Sequence, residues 1–133
     1  MVVSKVASGS WQIVEYQSED QLNWTFHREH LAQGTDGDGT ARAVYSPTII
    51  RFGRGVYRMF YTGDNLRVSP TPKSSMWSAI SFDLENWVTE GAFITAGSEN
   101  VMYASVLGDR IAYVLSPCSG CRGRLAIATI RQR

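Results

Sequence analysis

Three carboxylates stand where acid–base chemistry would need them: Asp36 and Asp38 in the stretch AQGTDGDGTAR, and Glu99 in AGSENVMY. Each lies just before a short apolar run, so each would sit near the start of a strand. Two carboxyl groups held apart across a cleft can protonate a leaving oxygen and activate water. The plainer reading, favoured here, is that all three are solvated loop side chains. Beside them are residues suited to holding a ligand: Tyr45 and Ser46 at the start of one run, Tyr103 at the start of another, and Arg42 just upstream. Trp11 and Trp77 have the same stacking chemistry, although aromatic residues in strands are more often core.

His27 and His30 lie three apart in FHREHL. On an extended strand that spacing sends them to opposite faces, which argues against joint metal ligation. Both are expected at exposed or edge positions. Cys118 and Cys121 form one C-x-x-C inside SPCSGCRGR. A structural zinc site wants four ligands, and no second cysteine pair exists. A thioredoxin-type motif needs a helix start after a strand, whereas the flanking glycines describe a surface loop. The pair is read as two loop thiols or a local disulfide; a metal shared between chains and redox chemistry are lesser alternatives. No metal or cofactor is expected within the chain, and no Gly-rich phosphate loop leads from a strand into a helix.

The elements that must position these residues are strands. Helical periodicity is hard to find anywhere. Apolar residues come instead in short alternating runs rich in Val, Ile, Tyr, Phe and Trp, separated by Gly, Asp, Asn and Pro. Strands are predicted over 11–16, 24–31, 46–52, 56–63, 76–82, 87–93, 101–107, 110–116 and 124–131, with MVVSKVA supplying one more. In the second of these, Trp24, Phe26 and Leu31 are expected to face inward. Two long polar segments, 32–42 and 64–75, read as loops, and long loops often carry function.

A repeat organises these strands. Aligning Ser18 with Ser81 also pairs Asp20 with Asp83, Asn23 with Asn86 and Trp24 with Trp87, at an offset of 63 residues. The chain thus reads as one domain over 1–133 holding blade-like units at 1–31 (partial), 45–94 (complete) and 101–131 (partial). Successive antiparallel four-stranded units are the blades of a β-propeller. The predicted fold is therefore all-β, a partial propeller closed by oligomerisation, with a small β-sandwich or barrel as the alternative.

YSPTIIRFGRGVYRMFYTG, followed after a loop by SMWSAISFDLENWVTEG, resembles a blade of the five-bladed propeller glycosidases, the superfamily of invertase, levansucrase, arabinanase, β-xylosidase and mannoside phosphorylase types. The matching positions are Pro47, Tyr57, Arg58, Met59, Tyr61, Thr62, Gly63, Ala79, Ser81, Asp83 and Trp87. The resemblance implies that Asp83 anchors its own tight turn and that Trp87 fills the wedge between blades. It also implies a glycine after each turn aspartate, where this chain has Gln21 and Leu84. For function it implies a carbohydrate-directed protein. Glycosidases of this kind carry an acidic residue at the start of inner strands, paired with a second carboxyl group. Here the corresponding positions are Ser46, before Pro47, and Tyr103, before Ala104. Glycan binding is thus the expected function, with glycosidase-like activity as a further possibility. The alternative is a non-catalytic protein-interaction or assembly module.

Composition narrows the partners. The net charge is +1, so there is no polyelectrolyte signal for nucleic acid. No apolar run approaches the roughly 20 residues that span a bilayer, and the N-terminus lacks the apolar core of a secretory signal. A cytoplasmic protein is the expectation. Residues 1–99 hold eight Lys/Arg against eleven Asp/Glu, whereas residues 100–133 hold five Arg against Asp109 alone. That asymmetry favours head-to-tail contact between chains or a small anion site. Because 133 residues do not suffice for a five-bladed ring, a homo-oligomer is expected, with one chain's N-terminal strands completing a blade begun by another's 101–116.

Overall fold

The computed structural model describes residues 1–7, 10–31, 43–65, 73–118 and 121–130. Its described residues form the strands β1 (Val2–Ala7), β2 (Ser10–Gln17), β3 (Thr25–Leu31), β4 (Ala43–Arg51), β5 (Tyr57–Asn65), β6 (Lys73–Ser81), β7 (Val88–Ile94), β8 (Asn100–Leu107), β9 (Arg110–Ser116) and β10 (Arg124–Thr129). They assemble into three antiparallel sheets, each a meander in chain order: β1-β2-β3, β4-β5-β6-β7 and β8-β9-β10. The fold is all-β. No sheet closes into a barrel, and three sheets stack in a row where a sandwich would have two.

The middle sheet is covered on both faces, and its sequence reflects this. Met59, Tyr61, Trp77 and Ala79 on one face pack against Ile13 and Leu31 of the first sheet. Phe60 and Met76, on the other face, pack against Val101, Ile111 and Leu115 of the third. A sheet buried on both sides needs consecutive apolar residues, which YRMFY and MWSAI supply. Phe60, Met59 and Met76 are fully buried, each contributing about 1.5–3 kcal/mol over leaving it exposed. The β4–β5 turn depends on Gly53 and Gly55, whose φ values of 136° and 69° suit glycine. Phe52 N closes that turn by donating to Val56 O at 2.8 Å.

The repeat is real in atomic detail. Asp20 Oδ1 accepts from the amides of Leu22 and Asn23 at 2.9 and 2.8 Å, while Asn23 Nδ2 donates to Oδ2 at 2.7 Å. Asp83 makes the same bonds with the amides of Glu85 and Asn86, both at 2.8 Å, and with Asn86 Nδ2 at 2.8 Å. These turn amides hold both carboxyls well below the usual carboxylate range. The ladders carry the repeat further. The β2–β3 register shifts between Ile13 and Val14 and again between Glu15 and Tyr16; the β6–β7 register shifts between Met76 and Trp77 and between Ser78 and Ala79. The same offset of 63 relates all four positions. Strands β1, β2 and β3 thus correspond to β5, β6 and β7, and the first sheet holds no counterpart of β4 among the described residues.

MVVSKVA supplies the further strand read from the sequence: it forms β1 and pairs with β2 along its length. The three strands predicted over 101–131 form the last sheet, with β10 paired to β9. Both edges of β2 and of β9 are filled within the chain, while β1, β3, β8 and β10 each have one edge unpaired among the described strands. Several expectations need correction. Asp64 and Asn65 belong to β5, and Lys73 to Ser75 belong to β6, not to a loop. Trp24 and Phe26 do not face inward: they are 40% and 56% exposed, while Leu31 is buried. Phe26 pairs with Tyr16 on the face of the first sheet turned away from the second, whereas Leu31 pairs with Ile13 on the face turned toward it. His27 is exposed as expected, but the His30 side chain is 1% exposed and its Nε2 donates to Glu15 Oε2 at 3.1 Å. It meets Trp87 edge to face at 6.1 Å between the first and second sheets.

Candidate functional site

Strands β4 and β8 each break their ladder at one equivalent point. Pairing shifts between Tyr45 and Thr48 in β4 and between Met102 and Ser105 in β8. At each break one residue takes a left-handed conformation, Ser46 at φ 54° and Tyr103 at φ 56°. Neither is a glycine, so each costs about 1–2 kcal/mol of backbone strain. These are the two positions paired in the sequence as counterparts.

A bulge leaves an amide without its ladder partner, and here the neighbouring sheet supplies one. Ser46 N donates to Ser4 Oγ of β1 at 2.7 Å. Tyr103 N donates to Thr62 Oγ1 of β5 at 3.3 Å. Ser4 and Thr62 are themselves counterparts, since Ser4 lies opposite Ile13 and Thr62 opposite Met76. A hydroxyl on one sheet therefore fixes the bulge of the next. Thr48 Oγ1 adds a bond to Ala104 O at 2.7 Å, tying the two bulged strands together.

Around these bulges lies a cavity of about 310 Å³ lined by Ser4, Trp11, Tyr45, Ser46, Asp64, Met102 and Tyr103. Its rings form a chain: Trp11 and Tyr45 have centroids 6.4 Å apart, Tyr45 and Tyr103 6.5 Å. Trp11 is 46% exposed and Tyr103 57%, so both offer ring surface to a ligand. The polar side is equally organised. Ser74 Oγ donates to Asp64 Oδ1 at 2.5 Å, and Tyr45 Oη, 2.9 Å from Ser74 Oγ, donates to it in turn. Ser74 N is held by Asn100 Oδ1 at 2.9 Å. Burial pushes the Tyr45 phenol up, further from ionisation, so it remains a donor at any ordinary pH. Asp64 Oδ2 has no hydrogen-bond partner among the described residues and remains as an acceptor.

No protein-family model matches this chain, and no curated protein matches it.

Of the residues singled out in the sequence, Tyr45, Ser46 and Tyr103 are brought together at the cavity. Arg42, Asp36 and Asp38 lie outside the described residues. Glu99 is engaged elsewhere, accepting from the Arg124 guanidinium at 2.7 Å. Trp77 is 6% exposed and belongs to the core between the first two sheets. Asp64 was missed because it follows the apolar run YRMFYTG directly and reads as the first loop residue; Ser74 and Ser4 carry no sequence signal at all. A larger groove, of about 580 Å³, runs beside Gln17, Asp20 and Asn23. Its aspartate is already bonded to its own turn, so it offers less to a ligand. Cys118 and Cys121 are joined as a disulfide, one of the two readings the sequence favoured. Among the described residues no cluster of three or more His, Cys, Asp or Glu could hold a metal ion, and no helix is long and apolar enough to cross a membrane.

Chemically, the cavity offers aromatic faces, one carboxylate and fixed hydroxyl groups. Among its described lining residues Asp64 is the one acid. Acid–base cleavage of a glycosidic bond would require a second carboxyl group.

Proposed function

We propose that this protein binds carbohydrate in the cavity at the β4 and β8 bulges, on a propeller-like scaffold, without cleaving it. The observation that carries this reading is the ring chain Trp11–Tyr45–Tyr103 set beside the Tyr45–Ser74–Asp64 hydrogen-bond chain. A sugar presents an apolar C–H face and a rim of hydroxyl groups. Aromatic faces suit the first, and a carboxylate oxygen accepting from hydroxyl groups suits the second. The resemblance of the middle unit to glycosidase blades points the same way, while the single described acid favours binding over hydrolysis.

The test is a calorimetric or NMR titration with mono- and oligosaccharides. Binding is expected, with amide shifts around Ser46 and Tyr103. Tyr103→Ala should weaken it at least about tenfold without unfolding the protein, since that ring is largely exposed. Failure of a broad sugar panel to bind would overturn the reading. Interaction or assembly is the second reading, and the apolar outer faces of the first and third sheets favour it. The cytoplasmic placement is part of the proposal. The Cys118–Cys121 disulfide bears on it: cytosolic thiol buffers keep such pairs reduced, so persistence of that bond in freshly lysed cells would overturn the cytoplasmic placement.

A further inference from the structure

We infer that the outer face of the third sheet is built to receive the outer face of the first sheet of a second copy of this chain, closing a ring of six sheets from two chains. This inference does not depend on the carbohydrate reading.

The outward face of β8-β10 repeats a face that is covered elsewhere in the molecule. Leu125 and Ile127 pair with Val114 and Ala112, as Met76 and Ser78 pair with Thr62 and Phe60 in the middle sheet. Phe60, Met76 and Ser78 are buried in the middle sheet, at 0%, 0% and 4% exposure. Their counterparts are open: Leu125 is 71% exposed and Ile127 62%.

On the complementary side the first sheet is open at Trp24 and Phe26, while Val14 is already buried within this chain. Val14 and Tyr16 occupy the positions of Trp77 and Ala79, the residues by which the middle sheet meets the sheet before it. Trp24 occupies the position of Trp87, which packs into that same contact. Trp24 and Phe26 are exposed, and Phe26 lies edge to face with Tyr16 at 6.0 Å. In stacking order, the missing neighbour before the first sheet has the character of a third sheet.

One substitution within the repeat identifies the occupant. Ser4 and Thr62 each cap the bulge of the following sheet, but their counterpart on the third sheet is Val114. A valine cannot accept that bond. A sheet without a bulged first strand suits that position, and among the described residues the first sheet of this chain carries no such strand. Charge agrees. Residues 1–31 hold two Lys/Arg against four Asp/Glu, and residues 100–133 hold five Arg against one Asp. Closed rings of such sheets usually hold about four to eight, so two chains of three suffice and three chains would overshoot.

Sedimentation and light scattering on the full chain test the inference. The wild type should have twice the chain mass. Ile127→Glu and, separately, Phe26→Lys should each raise the dimer dissociation constant by about a hundredfold or more while near-UV circular dichroism stays native. Mixed in equal amounts, the two variants should recover dimer, because that pair keeps one intact contact and sets Glu against Lys in the other. A folded wild-type monomer at high micromolar concentration would overturn the inference. So would a trimer, a dimer indifferent to both substitutions, or recovery of a different polypeptide bound to this face.

Discussion

Gln21 and Leu84 occupy the same point of the same turn, 63 residues apart, and both are held left-handed, at φ 61° and 65°. The aspartate before each one fixes the turn through its side chain, so the strained residue has no other conformation open to it. A glycine would adopt this conformation without steric cost. Gln21→Gly is expected to raise stability by about 0.5–1 kcal/mol, after allowance for glycine's freedom in the unfolded chain. Leu84→Val should lower it by about 1–2 kcal/mol, because β-branched residues resist positive φ. Urea denaturation read by Trp fluorescence measures both.

Trp87 packs against the core shared by the first and second sheets, and its Nε1 is buried without a hydrogen-bond partner. Trp87→Ala should cost about 3 kcal/mol or more, as a large cavity would open between the sheets. Trp87→Phe should cost far less, since it keeps most of the ring and removes the unsatisfied donor. Equal melting of Trp87→Ala and wild type would show that this ring does not hold the sheets together.

His30 should make the protein acid-sensitive. Burial lowers its pKa; the attraction of Glu15 opposes that, and Arg28 and His27 reinforce it. Protonation would also place an N–H on Nδ1, which is buried without a partner. A depressed folded pKa means that the unfolded chain takes up the proton first. This contribution to stability is therefore complete above the unfolded value of about 6.5 and is lost as pH falls through the folded value. Unfolding free energies between pH 8 and pH 5 should fall in the wild type and fall less in His30→Gln.

Gly123 lies so close to β9 that a Cβ there would stand 2.4 Å from Val114 Cγ1 and 3.0 Å from Leu115 O. Since the second of these is backbone, the strand itself would have to move. Gly123→Ala should cost about 1–3 kcal/mol. Reducing the Cys118–Cys121 disulfide, which spans a sequence separation of only 3, should cost less than about 2 kcal/mol. Thermal melts with and without reductant rank the two.

The sequence by itself determined the strands, because period-two runs and Gly, Asp and Asn turns are local signals. It also determined the repeated turn, whose Ser, Asp and Asn make all their decisive bonds within a few residues. Tertiary structure alone decided the rest. The exposure of Phe26 was unreadable because it depends on which face of the first sheet another sheet covers, and that is decided by stacking, not by the strand's own pattern. The burial of His30 depends on which sheet lies over it. The cavity draws Ser4, Trp11, Asp64 and Tyr103 from four different strands, and Ser74 enters through hydrogen bonds to Asp64 and Tyr45. Such a site is made by the stacking of sheets, and no spacing along one chain segment encodes it.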